Sequence, residues 1–333
     1  MYELLGICLA LSAVLLFNAF ASLTAVGLWE SIKRFSYGWS ATTRANVLFF
    51  FRIFPPAIAI TCVLTLLIPA YIAHEPRTST EVVSPALAAL AFLSVIGLAL
   101  ALWRGLRTWH VTRRLVADWL RHAEPISLEN ISIPSYRVNH RFPVVAVVGA
   151  IRPRLFIADQ VFDTLSEKEL QAVVAHELGH LAAHDYLKRV MLRVCRDVLA
   201  IIPCGRSLDR AWDETAEAAA DEHATRICGA AGALDLADAM IKISRAVPLG
   251  IKPTMPAGAF LINEVGGSVV WRVRRLTELA TTNNVYLQTP RFLSSLLTWV
   301  FFFCPLVAIA LIATNAHTSI WMHDAIERIV SVL

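Results

Sequence analysis

Charge is what this chain has least of. Only 17% of its 333 residues are Asp, Glu, Lys or Arg, while 56% are apolar. Ordinary globular chains carry roughly 25% and 45–50%. Mean hydropathy is +0.57. Too few charges to cover so many apolar side chains excludes an ordinary water-soluble domain and points to a lipid bilayer. Paired cysteines are missing too. Cys8, Cys62, Cys195, Cys204, Cys228 and Cys304 stand singly, three of them in apolar runs, and no CxxC occurs. That excludes a cysteine zinc site or a disulfide framework and leaves buried or free thiols. The net charge of +4 is modest. No basic cluster with interleaved aromatics is present, so no nucleic-acid partner is expected. Internal repeats and low-complexity segments are also absent.

What is there begins with four apolar runs, at about 4–28, 54–73, 85–103 and 292–314. Each is long enough for a bilayer, which needs ~20 residues of helix. The first opens on Glu3 rather than a basic segment and exceeds a signal-peptide core, so it reads as a retained span. Positive charge sets the orientation. Lys33, Arg34, Arg44 and Arg52 follow the first span, and only Arg77, beside Glu75 and Glu81, follows the second. Arg104, Arg107, Arg113 and Arg114 follow the third, and Arg272, Arg274, Arg275 and Arg291 precede the fourth. The expected layout has the N-terminus outside, the 29–47 loop inside and the 74–84 loop outside. Residues 104–291 then form one cytoplasmic domain, and 315–333 a short extracytoplasmic tail.

That domain opens with a basic amphipathic helix, Trp103 to Arg121. Phe142–Gly149 and Arg154–Ala158 read as strands joined by a turn at Arg152-Pro153. Ser166-Glu167-Lys168-Glu169 is a capping box. It starts a helix with Leu170, Val174, Leu178 and Leu181 on its inward face. On an adjacent face His176 and His180 lie one turn apart, where two imidazoles can share one metal ion, and Glu177 lies to their side. This is HExxH: the histidines bind zinc, which brings the pKa of its water to about 7, and Glu177 takes that water's proton.

A third ligand leaves the fourth position open. The candidate is Glu217, in the Ala-rich helical stretch 212–224, which can approach the first helix closely. Asp221, one turn on, is placed to orient a zinc-bound imidazole through its other ring nitrogen. HExxH followed by ExxxD is far more specific than either alone. His184 stands eight residues after His176, not the ten of the longer HExxHxxGxxH pattern, and Glu214 stands one turn before Glu217; both are weaker candidates. His223 and Arg226 are candidates for stabilising the oxyanion.

The stretch from Gly149-Ala150-Ile151-Arg152-Pro153-Arg154-Leu155-Phe156-Ile157, through the HExxH helix, to Glu214–Ala224 resembles the membrane metallopeptidases of the BlaR/MecR antirepressor type. The resemblance is close over about 140–230 and loose over the spans. It implies His176, His180 and Glu217 as zinc ligands, Glu177 as the catalytic glutamate and Asp221 as the ExxxD aspartate, with Asp185 at a further family position. The β-lactam-sensing members carry a penicillin-binding domain after the fourth span; only about twenty residues follow here, so antibiotic sensing does not carry over. Ala220 also stands where those members often have Cys. The related HtpX and CAAX-prenyl-protease type shares both motifs and is the second choice.

The expected fold is mostly α, with an α+β zincin-like (gluzincin) domain inserted among four transmembrane helices. The expected function is zinc-dependent endopeptidase action, one Zn2+ per chain, in the inner membrane. The expected partners are the bilayer and a cytoplasmic or juxtamembrane protein or peptide, such as a transcriptional regulator. A homo-oligomer is left open. The rival from another class is a signalling or scaffold protein with a structural zinc. Substrate is expected to add as a strand along 142–149 or 154–158. Val145 and Val147 would then face substrate and core in turn, and a proline at residue 146 would block it. The basic stretch Arg104–Arg114 is equally suited to lie on anionic lipid.

Overall fold

The computed structural model describes residues 2–76, 82–128, 131–140, 142–149, 152–197, 205–246, 269–281 and 291–332. Arg77, Glu81, Cys204 and the stretches 247–268 and 282–290, used above, lie outside them.

Helix α1 (Tyr2–Ile32) contains no proline and carries its acids, Glu3 and Glu30, only near its ends. Helix α2 (Ala41–Cys62) passes through a π-helical turn, Val63–Leu67, into α3 (Ile68–His74), making one apolar rod. Helix α4 spans Pro85–Arg121. These three rods, of 31, 34 and 37 residues, are long and apolar enough to cross a membrane. At 1.5 Å per residue each exceeds the ~30 Å hydrocarbon core. Only 22–33% of their most apolar windows is buried within the protein. Phe20, Phe92 and Leu102 face outward, where lipid would cover them.

Two boundaries differ from the sequence reading. The second rod begins at Ala41 rather than near residue 54, because Ser40 caps it by accepting the Thr43 N–H. Arg52 does not interrupt it, since its guanidinium meets Asp209 at 2.9 Å. The third span and the basic helix after it are continuous in α4, whose Trp119 packs edge-on against Phe156, 5.0 Å between ring centroids. The fourth run is helical as α10 (Arg291–Ala313), and the tail forms a further helix, α11 (Ala316–Val332).

Strands β1 (Glu124–Ile126), β2 (Ser135–Val138), β3 (Val145–Val148) and β4 (Arg154–Ala158) form one sheet in the order β1-β2-β4-β3. The β3–β4 and β1–β2 pairs are antiparallel and β2–β4 is parallel. The 154–158 strand is therefore central, and only the 142–149 segment supplies an edge. All four β3 side chains are buried. Val145 and Val147, two apart, share one face instead of alternating. Leu155, Phe156 and Ile157 are wholly buried, each worth about 1.5–3 kcal/mol relative to exposure.

Four helices complete the core. They are α5 (Asp159–Thr164), α6 (Glu167–Ala182), α7 (Asp185–Asp197) and α8 (Arg206–Ala246), with α9 (Val269–Thr281) packed on α8. The capping box is present at the start of α6. Ser166 N–H donates to Glu169 at 2.7 Å, and Glu169 N–H to Ser166 Oγ at 3.4 Å. Such a cap contributes about 1 kcal/mol. Lys242 holds Glu169 from the far end of α8, at 2.7 Å. Helix α8 is two helices across a break at Gly229, where φ is +75°. That backbone is one glycine adopts without strain.

Candidate metal centre

The site is built where α6 and α8 cross. Gly179, inside HExxH, permits the approach: a Cβ there would lie 3.1 Å from Ala220 Cα and 3.0 Å from His223 Cβ. Ala218, Ala219 and Ala220 keep the facing surface of α8 thin. Close packing brings Glu217 under both histidines. Its Oε2 lies 3.6 Å from His176 Nε2, and its Oε1 3.6 Å from His180 Nε2. All three residues are buried, and one donor atom from each falls within 4.8 Å of the others.

Carboxylates hold the outer ring nitrogens. His176 Nδ1 is 2.9 Å from Asp221 Oδ1, and His180 Nδ1 is 2.8 Å from Asp185 Oδ2. Each partner favours the Nδ1–H tautomer, which turns the Nε2 lone pair inward. Glu177 stands beside the group. Its Oε2 accepts the Tyr186 hydroxyl at 2.9 Å and the Val147 N–H at 3.2 Å. Burial and the Glu177 carboxylate push the Tyr186 phenol well above its ordinary range, so it stays a neutral donor.

Two arginines, Arg272 buried and Arg189 largely so, close the cluster. Arg189 Nη2 reaches Glu217 Oε1 at 3.0 Å. Arg272, from α9, reaches Glu217 Oε2 at 3.1 Å and both oxygens of Asp221, at 2.6 and 3.0 Å. Burial alone would pull the His180 imidazole down; the Glu217 and Asp185 carboxylates outweigh it and push it up to about 10. Burial would raise the Glu217 carboxyl, but His180 and Arg272 hold it well below the usual range. Negative charge thus gathers at the inner face of the histidines.

A metal ion fits these donors. Tetrahedral zinc with bonds of about 2.0–2.1 Å separates neighbouring donor atoms by about 3.4 Å, close to the distances above. Glu217 Oε2, though beside Arg272, is buried without a hydrogen bond. The other sequence candidates stand apart. Glu214 and Arg226 are exposed. The Arg226 charge acts on Glu222. His184, at φ +56°, and His223 line a cavity of about 590 Å³ between α2 and helices α6, α7 and α8, whose lining includes Gly179 but not His176, His180 or Glu217.

The model of the family described as BlaR1 peptidase M56 matches residues 73–256, more than half of the chain. The chain belongs to the BlaR1 peptidase M56 family. Membership makes it a metallopeptidase, and its apolar helices associate it with a membrane. No curated protein matches it. The matched residues include His176, Glu177, His180, Glu217 and Asp221, but not Arg272. Sequence reading missed Tyr186, Arg189 and Arg272. A usable signal existed for the last: Arg272, Leu276 and Leu279 share the buried stripe of α9, an unusual place for a charge.

Proposed function

We propose that the protein is a zinc-dependent endopeptidase of the inner membrane that cuts a cytoplasmic or juxtamembrane protein. The observation that carries this reading is the His176–His180–Glu217 group with Glu177 poised beside it. Among the described residues three protein donors come together, rather than four, which suits a catalytic site over a structural one. Imidazole nitrogens with a carboxylate suit zinc.

His176, His180 and Glu217 would hold the ion. When bound, it supplies a Lewis acid that lowers the pKa of a coordinated water to about 7 and polarises a carbonyl. Glu177 takes the water's proton and hands it to the leaving amine. Tyr186 and the Val147 N–H hold that carboxylate in place. Asp221 and Asp185 keep each histidine in the tautomer that presents Nε2.

Substrate adds to the β3 edge as a further strand. The Ala158 N–H bonds the Val144 carbonyl across the pair. By the alternation of an antiparallel ladder, the N–H groups of Val145 and Val147 then point away from β4; that of Val147 donates to Glu177, and that of Val145 is the one offered to a substrate strand. Ala146 points towards it, so a proline at 146 would damage the sheet itself. Val145→Pro is the sharper probe, since an edge tolerates proline. We expect cleavage to fall about tenfold, the worth of one backbone hydrogen bond, with metal content unchanged. Unaltered cleavage would remove β3 as the substrate strand.

The zincin-like reading draws support from this sheet lying beside the HExxH helix. A fourth crossing by α10 draws support from its packing along α2, while α11 packs on α3 and brings His323 within 5.5 Å of His74. The chain's end and the end of the second rod then share one side, as the positive charges require with residues 104–291 in the cytoplasm. The family resemblance makes a transcriptional regulator the first substrate to try. Purified full-length protein should cleave unfolded casein, lose that activity on chelation and regain it with stoichiometric zinc. Cleavage indifferent to chelator would sink the reading.

A further inference from the structure

We propose that Arg272 is a positioning residue for the metal ligands, a fork that grips Asp221 through two hydrogen bonds and pairs its charge with Glu217. This rests on the metal reading above. Arg272 is 2% exposed, and α9 brings it into the cluster from outside the residues the family model matches.

The geometry is specific. Nε donates to Asp221 Oδ2 at 3.0 Å and Nη2 to Oδ1 at 2.6 Å, a bidentate grip that fixes the carboxylate plane. The oxygen held by Nη2 is the one 2.9 Å from His176 Nδ1. Orientation therefore passes from guanidinium to carboxylate to imidazole. The remaining nitrogen, Nη1, lies 3.1 Å from Glu217 Oε2. One planar group thus spans two like charges one helical turn apart, which would otherwise repel each other in a buried site. Nη2 also lies within hydrogen-bond reach of the His176 ring, 3.4 Å from Nδ1 and 3.5 Å from Nε2, both longer than its 2.6 Å bond to Asp221.

Arg275, one turn on, supplies the control. It holds Glu222 and donates to the Ala218 carbonyl at 3.0 Å, tying α9 to α8 without contact to the ligand atoms. A role confined to docking α9 would belong to both arginines. A positioning role belongs to Arg272 alone.

The test is zinc affinity of the purified full-length protein, measured against a competing chromophoric chelator, with the cobalt(II) visible spectrum as a second readout. Partners in this outer position are worth about 10–100-fold in metal affinity, and that loss is expected for Arg272→Met, with a weakened tetrahedral cobalt band. Arg272→Lys keeps the charge but not the fork, and should recover part of the loss. Arg275→Met should change affinity by no more than about threefold, well short of that loss. Zinc binding by Arg272→Met as tight as wild type, or tighter, overturns the proposal, as does an equal loss in Arg275→Met. If Arg272→Met does not fold, Arg272→Lys decides: weaker binding supports the fork, and unchanged binding overturns it. A wild type that takes up no zinc overturns the metal reading and this proposal with it, so the two failures are distinguishable.

Discussion

Glu177→Gln is expected to keep its metal and lose about 10²–10⁴-fold in turnover, the worth of a positioned general base. The substitution preserves shape. The amide oxygen still accepts from the Tyr186 hydroxyl and the Val147 N–H, which now meet at Glu177 Oε2. Neither histidine nor Glu217 is touched, so the donor group is intact. What the amide cannot do is take a proton. A structural zinc would have no use for a base there, so this variant separates the enzyme from the scaffold. Initial rates on casein, read beside metal content by mass spectrometry, make the measurement. Equal cleavage by both proteins at equal metal content would rule out Glu177 as the base.

Much of this site was legible because its geometry is local. His176 and His180 are one turn apart on a helix announced by Ser166 and Glu169, and periodicity alone puts them together. Glu217 and Asp221 repeat the logic on a second helix whose alanines advertise a close approach. The β3–β4 hairpin could be read for the same reason. What escaped depends on contacts between distant segments. Strand β2 is short and pairs in parallel with β4, twenty residues away, with no turn to signal it. Arg272 was counted as one of several charges flanking an apolar run, yet it lies 51 residues from the aspartate it grips. Its neighbour Arg274 is 81% exposed and behaves as such a flanking charge should. A charge count cannot tell the two apart; the helical stripe through Leu276 and Leu279 can. The start of α2 was misplaced for a related reason. Arg44 and Arg52 looked like the edge of a span, whereas Arg52 is buried against Asp209, and Glu222 accepts the Ala41 N–H at 3.3 Å. The apolar rod and the helix that carries Glu217 are thereby packed together, which local pattern does not encode.

Removing Glu217 should do two kinds of damage at once. Glu217→Ala deletes the third donor, and its metal loss should exceed the about 100-fold ceiling for partners outside the ligand group. It also strands Arg189, whose other acidic neighbour, Asp213, is 3.8 Å away, against 3.0 Å for Glu217. Arg272 fares better, because both oxygens of Asp221 remain to hold it. Breaking a buried ion pair by deleting one partner costs about 3–5 kcal/mol. Glu217 is 2% exposed, so water offers little relief. Glu217→Gln isolates the two effects. It retains an oxygen for Arg189 and fills the same volume, so it should recover part of the stability and little of the metal. Thermal unfolding in detergent, with and without chelator, reads the first quantity, and bound zinc after dialysis reads the second. A Glu217→Gln protein that keeps zinc as wild type does would show that the third donor lies elsewhere. Equal unfolding temperatures for Glu217→Ala and wild type, both metal-free, would show that the carboxylate is not what holds Arg189.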